Sequence, residues 1–216
     1  MPTVLITGAN RGLGLEFARQ YAGEGWSVIG TARQPSPELE ALAATVETVD
    51  LRDFSSLIAF GKRVPELDLL IANAAARGPQ SVTTEDEVKD WMDAFAVNAV
   101  APFLFAQAVL PQVRKARGKL IAISSTRGII SDNSPGGSAA YRSTKSALNS
   151  VWRRLAIENP DVICTLFHPG WVRTRPDSPA TLDPETSVRR LRRLIAALKP
   201  EHSGHFFNPQ GKQLPW

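Results

Sequence analysis

The feature that most restricts the fold is a repeated switch between short continuous apolar runs and stretches of helical periodicity. Runs rich in β-branched or aliphatic residues lie at Thr3–Thr7, Trp26–Thr31, Thr45–Val49, Leu67–Ala72, Lys119–Ser124 and Val162–Phe167, with a weaker one at His205–Phe207. Strands that are apolar on both sides need cover on both sides, and the amphipathic segments between them supply it. The pattern predicts an α/β chain with a parallel sheet of about seven strands, helices on both faces and right-handed crossovers. Helix starts are marked as well. Ser36-Pro37-Glu38 and Asp183-Pro184-Glu185 each place a capping side chain before a proline, and Thr84 with Glu87 has capping-box spacing. Neither an internal repeat nor an interdomain linker is visible, so residues 1–216 are expected to form one domain.

The first apolar run leads into Thr7-Gly8-Ala9-Asn10-Arg11-Gly12-Leu13-Gly14 and then into a helical pattern. Glycines at these positions let a backbone turn tightly and approach a ligand, while a helix N-terminus offers unpaired N–H groups and a positive dipole end. A pyrophosphate suits that geometry. The spacing is Gly-x-x-x-Gly-x-Gly, distinct from the commoner Gly-x-Gly-x-x-Gly fingerprint.

A second chemical signal lies past the middle, at Tyr141-Arg142-Ser143-Thr144-Lys145. Residues four apart share one helix face, so the Tyr141 phenol and Lys145 ammonium are expected to enter one cleft. A nearby positive charge favours the phenolate and brings a tyrosine toward general acid/base work.

Composition removes several other classes of function. The formal charge of +4 comes from 25 basic and 21 acidic residues that are interspersed, which argues against a broad nucleic-acid-binding face. No run approaches the ~18 apolar residues of a membrane span, and the N-terminus lacks a signal-peptide pattern, so a cytoplasmic protein without a membrane partner is expected. Cys164 is the only cysteine and should serve packing. His202 and His205 lack a third ligand at sensible spacing, so no metal site is expected. Arg189-Arg190 and Arg192-Arg193 alternate with Val188, Leu191, Leu194 and Leu198, as a solvated helix face does. His168 is read as a structural hydrogen-bonding residue, and Val151, Trp152 and Leu155 as core or subunit-contact residues.

Taken together, Thr7-Gly-x-x-x-Gly-x-Gly and Tyr141-x-x-x-Lys145 resemble the short-chain dehydrogenase/reductase family, and further matches follow in order along the chain. These are Asp50 after the third strand, Asn73-Ala74-Ala75 after the fourth, Asn98 on the next long helix, Ser124-Ser125 after the fifth, and Pro169-Gly170-Trp171-Val172-Arg173-Thr174 after the sixth. A narrower resemblance, to the C-factor-like and sniffer-like carbonyl reductase branch, rests on Asp132 to Gly137, Tyr141 to Asn149, Ser203 to Phe207 and Pro215-Trp216.

The resemblance implies a Rossmann-type doubly wound sheet of order 3-2-1-4-5-6-7 with its crevice at the strand carboxyl ends. It implies an oxidoreductase that uses NADP(H) to reduce a small carbonyl or oxidise an alcohol, with Asn98, Ser125, Tyr141 and Lys145 as the catalytic set. Ser125 would bond the substrate oxygen, Tyr141 would give it a proton, Lys145 would lower the phenol pKa and bind the ribose, and Asn98 would hold a water. Cofactor contacts are expected at Gly8, Asn10, Arg11, Gly12, Leu13 and Gly14, at Arg33, Asp50 and Leu51, and at Asn73 and Ala74. Tyr141, Lys145, Pro169, Gly170, Val172 and Thr174 complete that set.

A homodimer or homotetramer is expected from apolar residues on more than one face of helices Val97–Val113 and Ala139–Glu158. Arg175 to Leu182 is read as a lid. Ala72 and Ala75 depart from the family's usual Asn and Gly. In place of the acidic residue that meets a ribose 2′-hydroxyl, the second strand runs into Arg33, and Arg11 can reach the same side, so the 2′-phosphate of NADP(H) is favoured over NAD(H). The alternative is a catalytically weak NADP(H)-binding regulator or signalling protein. A lyase or epimerase on this scaffold usually carries a longer substrate region.

Overall fold

The computed structural model describes residues 1–132, 136–174 and 178–216. Its sheet has seven strands in the order β3-β2-β1-β4-β5-β6-β7, and every paired neighbour is parallel. In chain order the strands are β1 (Thr3–Thr7), β2 (Ser27–Ala32), β3 (Thr45–Thr48), β4 (Leu69–Ala72), β5 (Lys119–Ile123), β6 (Ile163–Phe167) and β7 (Phe206–Phe207). The helices are α1 (Gly12–Gly23), α2 (Pro37–Leu42), α3 (Phe54–Arg63), α4 (Glu85–Phe95), α5 (Ala101–Ala116), α6 (Ala139–Glu158) and α7 (Pro184–Ala196).

Alternation within each strand sends neighbouring side chains to opposite faces, so one sheet builds two cores. Leu5, Leu70 and Leu120 point to one face, where they meet Phe60, Phe105, Val109, Trp152 and Leu155 from α3, α5 and α6. Val4, Ile6, Leu69, Ile71 and Ile121 point to the other, where Phe17, Tyr21, Leu39, Val188 and Leu191 arrive from α1, α2 and α7. This is the doubly wound arrangement expected from the sequence. Trp152, Leu155 and Cys164 are buried in the first core, while Val151 is only partly covered.

The expected helix starts are present. Ser36 accepts from Leu39 N at 3.3 Å, Asp183 accepts from Thr186 N at 2.7 Å, and Thr84 and Glu87 form a reciprocal capping box.

Several boundaries differ from the sequence reading. Trp26 and Leu67 precede their strands, although Leu67 is fully buried, and β2 continues one residue further to Ala32. Ser124 leaves β5 but still donates its N–H to the Phe167 carbonyl at 2.8 Å. The helix expected over Val97–Val113 is part of a continuous helical run from Glu85 to Ala116, interrupted by a π turn at Ala96–Val100. That run corrects the expectation about membrane spans, since by length and composition it is apolar enough to cross one. Its apolar residues serve the sheet instead: Ala101, Phe105, Ala106, Val109 and Val113 are buried in the first core.

Candidate active site

The carboxyl ends of the strands open into a cleft of about 980 Å³. Its floor at the β1–α1 turn is set by close backbone contact. A Cβ on Gly14 would come within 2.1 Å of the Gly8 carbonyl oxygen, and one on Gly8, whose φ is +66°, within 2.9 Å of Ala74 Cα. The loop can close on itself and on β4 only with glycine at these points. Arg11 caps α1 without a side-chain hydrogen bond to the helix, so the first-turn N–H groups remain directed at the cleft. This cradle and its donors fit a pyrophosphate.

Thr7 and Asn73 hold the cradle against β4. The Thr7 hydroxyl accepts from Asn73 N at 3.0 Å and Ala74 N at 3.1 Å. The Asn73 side-chain amide donates to the carbonyls of Thr7, at 3.0 Å, and Gly8, at 3.2 Å. Thr7 was not among the expected site residues, although a threonine closing β1 was the available signal.

Asn98 lies in the π turn and is fully buried. Its Oδ1 accepts from Ala76 N at 2.7 Å, while Nδ2 donates to Ala76 O at 2.7 Å and to Thr144 Oγ1 at 2.9 Å. Thr144 in turn donates to the Tyr141 carbonyl at 2.9 Å. The side chain thereby ties the segment after β4 to α6. Its polar atoms are already engaged, which leaves little capacity for a side-chain-bound water. The Asn98 carbonyl is a different matter, because the residue four positions on is Pro102, which has no N–H to donate to it.

Tyr141 and Lys145 lie on α6 and line the cleft. Burial pushes the Tyr141 phenol above its ordinary value, while hydrogen bonding with Ser125 and the charges of Arg77 and Arg127 oppose that rise. Burial also lowers the Lys145 ammonium to about 8. Lys145 Nζ donates to the Ile123 carbonyl at 2.9 Å and stands 5.8 Å from the centre of the Tyr141 ring. The sequence reading expected Lys145 to lower the phenol pKa. Arg77 and Arg127 add positive charges that act in the same direction.

The two serines after β5 divide their roles. Ser124 lines the cleft, but its hydroxyl donates to Asn149 Oδ1 at 2.6 Å. Ser125 caps a short 3-10 turn, Thr126–Gly128, accepting from Arg127 N at 3.2 Å, and its side chain acts on Tyr141. Asn149 and Ser146 both donate to the Gly128 carbonyl, at 3.3 Å and 3.0 Å, which fastens this turn to α6.

At the far end of the cleft Arg11, Arg33, Asp50 and Leu51 come together with Gln34 and Arg52. The Asp50 carboxylate is engaged by Arg52, with Nε to Oδ1 at 3.1 Å and Nη2 to Oδ2 at 2.7 Å, and Arg52 Nη1 reaches Asp93 at 2.8 Å. This bonding holds Asp50 down at about 2. Sequence reasoning missed Arg52, which lies two residues beyond Asp50 and carried no motif. Arg11 and Arg33 are exposed, and their guanidinium groups suit a phosphate.

Gly8, Asn10, Arg11, Gly12, Leu13, Asn73, Ala74, Pro169 and Thr174 also line the cleft, together with Ala75 and Ala76. Gly14, Asn98, Ser125, Gly170 and Val172 lie behind its surface or beside it. Val172 bridges Leu182, and a Cβ on Gly170 would come within 2.8 Å of Leu182 Cδ2, so these residues anchor the segment after β6. Arg175, Pro176 and Asp177 of the expected lid lie outside the described residues, as do Asn133, Ser134 and Pro135 of the narrower resemblance. His168 has a buried Nδ1 without a partner, and burial lowers it to about 4, so its expected side-chain hydrogen bond is not seen at that atom. Among the described residues no group of three metal-ligating side chains occurs.

A nucleotide cradle at the carboxyl ends of a doubly wound sheet, continuous with a half-buried tyrosine and a buried lysine, defines a dinucleotide-dependent class of fold and site. The chain belongs to the short-chain dehydrogenase family, whose model matches residues 2–184, and it is an oxidoreductase. It is 38% identical over 154 residues to the C-signal of Myxococcus xanthus, across 69% of this chain and 93% of that protein. The carbonyl reductase Sniffer of D. melanogaster is 30% identical, with 100% of both chains covered and a TM-score of 0.89. An NADPH-bound carbonyl reductase from chicken fatty liver is 29% identical, covering 100% of this chain and 99% of that one, with a TM-score of 0.85.

Proposed function

We propose that this chain is an NADP(H)-dependent carbonyl reductase, able to run in reverse as an alcohol dehydrogenase. The observation that carries the reading is the continuity of one cleft from Arg11 and Arg33, past the glycine cradle, to Tyr141 and Lys145. NADP(H), when bound, supplies or accepts the hydride. Gly8, Gly12 and the N-terminus of α1 would hold its pyrophosphate, and Arg11 and Arg33 its 2′-phosphate.

The chain's own groups handle the proton and the substrate oxygen. Tyr141 keeps its proton through neutral pH because burial disfavours the phenolate, so it is ready to donate to a carbonyl oxygen. The Ser125 hydroxyl bonds that same oxygen and fixes its distance from the phenol. Lys145, anchored on the Ile123 carbonyl, holds α6 against β5 and offers its remaining N–H groups to the ribose. A water serving proton resupply is assigned to the Asn98 carbonyl, which Pro102 leaves without its α-helical donor.

The resemblance to the C-signal supports a second reading, a signalling protein with little turnover. Following NADPH absorbance against aldehydes, ketones, quinones and hydroxysteroids separates the two, since absence of turnover on the whole panel would remove the reductase reading. The single sheet supports one domain, and we read the chain as cytoplasmic. Partly covered Leu104 and exposed Val100 lie along the helix outside the first core, which supports a homodimer or homotetramer. A monomeric mass at micromolar concentration would count against that assembly.

A further inference from the structure

Two arginines outside the nucleotide end of the cleft are not needed by the mechanism above. Arg77 lines the cleft alongside Tyr141. Arg127 belongs to the 3-10 turn capped by Ser125, its backbone N–H bonded to the Ser125 hydroxyl at 3.2 Å. They come from different loops, one after β4 and one after β5, and Arg127 sits two residues from Ser125, whose side chain acts on the same phenol. Both are exposed. Among the described residues neither side chain forms an ion pair, and Asp50 and Asp93, the carboxylates that line this cleft, are both held by Arg52.

We propose that Arg77 and Arg127 form an anion-binding subsite beside Tyr141 and Ser125, making the preferred substrate a carbonyl compound that carries its own carboxylate or phosphate. The inference rests on the reductase reading and narrows its substrate class. Both charges bear on the phenol, consistent with guanidinium groups near the reacting oxygen. A planar guanidinium matches either anion in bidentate geometry, and two from separate loops select for charge rather than for size. The anionic group takes no part in the redox change. The carbonyl carbon gains hydride from NADPH, which becomes NADP⁺, the oxygen gains a proton, and the carboxylate or phosphate leaves as it entered.

The test compares meta and para formylbenzoate and formylphenyl phosphate with the neutral methyl formylbenzoates, each reduced by the full-length protein with saturating NADPH. We expect kcat/KM for at least one anion to exceed that of its neutral counterpart by roughly tenfold or more, and the advantage to shrink as salt rises. In Arg77→Gln, Arg127→Gln and the double variant the ratio should fall stepwise toward one. Which anion is favoured distinguishes carboxylate from phosphate substrates. Equal efficiency for charged and neutral aldehydes in the unmodified protein would overturn the inference while leaving the reductase reading intact. A preference that survives in the double variant would overturn it too, as would a raised NADPH Michaelis constant in Arg77→Gln with an unchanged ratio, because Arg77 would then be a cofactor contact. If no aldehyde is reduced, the reductase reading fails, and calorimetry decides the subsite separately. Hydroxymethylbenzoate binding that disappears in the double variant supports the subsite, and no binding to the unmodified protein rejects it.

Discussion

Lys145 stands 5.8 Å from the centre of the Tyr141 ring, yet its Nζ hydrogen bond goes to the Ile123 carbonyl at 2.9 Å. The pair shares one helix face, as a four-residue spacing requires, and the lysine's own hydrogen bond fastens α6 to the end of β5. Lys145 is a nearly inaccessible cation at 2% exposure, tied to the end of β5. Its positive charge is costly there, and the phenol sits in its own desolvated site.

For the chemistry, replacing Tyr141 by Phe removes the proton donor and little else. Turnover should fall by about two to four orders of magnitude, the usual contribution of a general acid, while NADPH affinity stays within about twofold. Stopped-flow reduction rates and NADPH fluorescence titration measure the two quantities separately. A variant with wild-type turnover would exclude Tyr141 as the acid.

Lys145 gives a pH prediction with a definite sign. Its folded value is lowered to about 8 from 10.5, so between those values the unfolded chain holds a proton that the folded chain has released. Stability from this group is therefore least at and below about pH 8, rises with pH through that window, and levels off above 10.5. A shift of this size corresponds to ~3 kcal/mol. The stability difference between the unmodified protein and Lys145→Met, measured by urea unfolding without cofactor, should change in the unmodified protein's favour by about that amount from pH 8 to 10.5. A difference that does not vary with pH would show that the buried lysine is not desolvated as described.

At the adenosine end, Arg33→Asp replaces a guanidinium with a carboxylate that repels a 2′-phosphate. If each charge-assisted contact contributes ~1.5–3 kcal/mol, Arg11 and Arg33 together favour NADPH over NADH by a hundredfold or more, and the substitution should narrow or reverse that ratio. Equal kcat/KM with the two cofactors in the unmodified protein would refute the assignment.

The sheet was legible because its information is local and repeated. Most strands are short apolar runs, and the caps at Ser36, Thr84 and Asp183 announce themselves in adjacent residues. The glycine cradle was legible for a related reason, since Gly8 and Gly14 stand where no side chain fits. What escaped was information held between distant segments. Arg52 matters through Asp93, which lies 41 residues away. The direction of Lys145 depends on Ile123, 22 residues earlier, and neither arginine beside Tyr141 belongs to a spaced motif. The helical run through Ala101–Ala116 was under-read as well, since a continuous helix from Glu85 to Ala116 gathers more apolar residues than any one sequence run suggested, and a buried core helix and a membrane span draw on the same residues.

Asn98 and Pro102 separate a structural role from a functional one within a single helical turn. The Asn98 side chain makes three hydrogen bonds, two with the Ala76 backbone and one with Thr144, and Asn98→Ala would leave those buried partners unpaired. A loss of ~3 kcal/mol is expected, together with a looser β4–α6 contact and reduced turnover. Pro102→Ala is expected to act differently. It restores an N–H at the position where an α-helix would pair with the Asn98 carbonyl, so the π turn at Ala96–Val100 can relax toward regular helix. Thermal stability should be unchanged or higher, while turnover falls because the new N–H competes with a water for the carbonyl. Melting temperature and kcat on one aldehyde are enough to read both variants. If Pro102→Ala keeps full turnover although hydrogen exchange shows its new N–H protected, the carbonyl has no part in proton resupply.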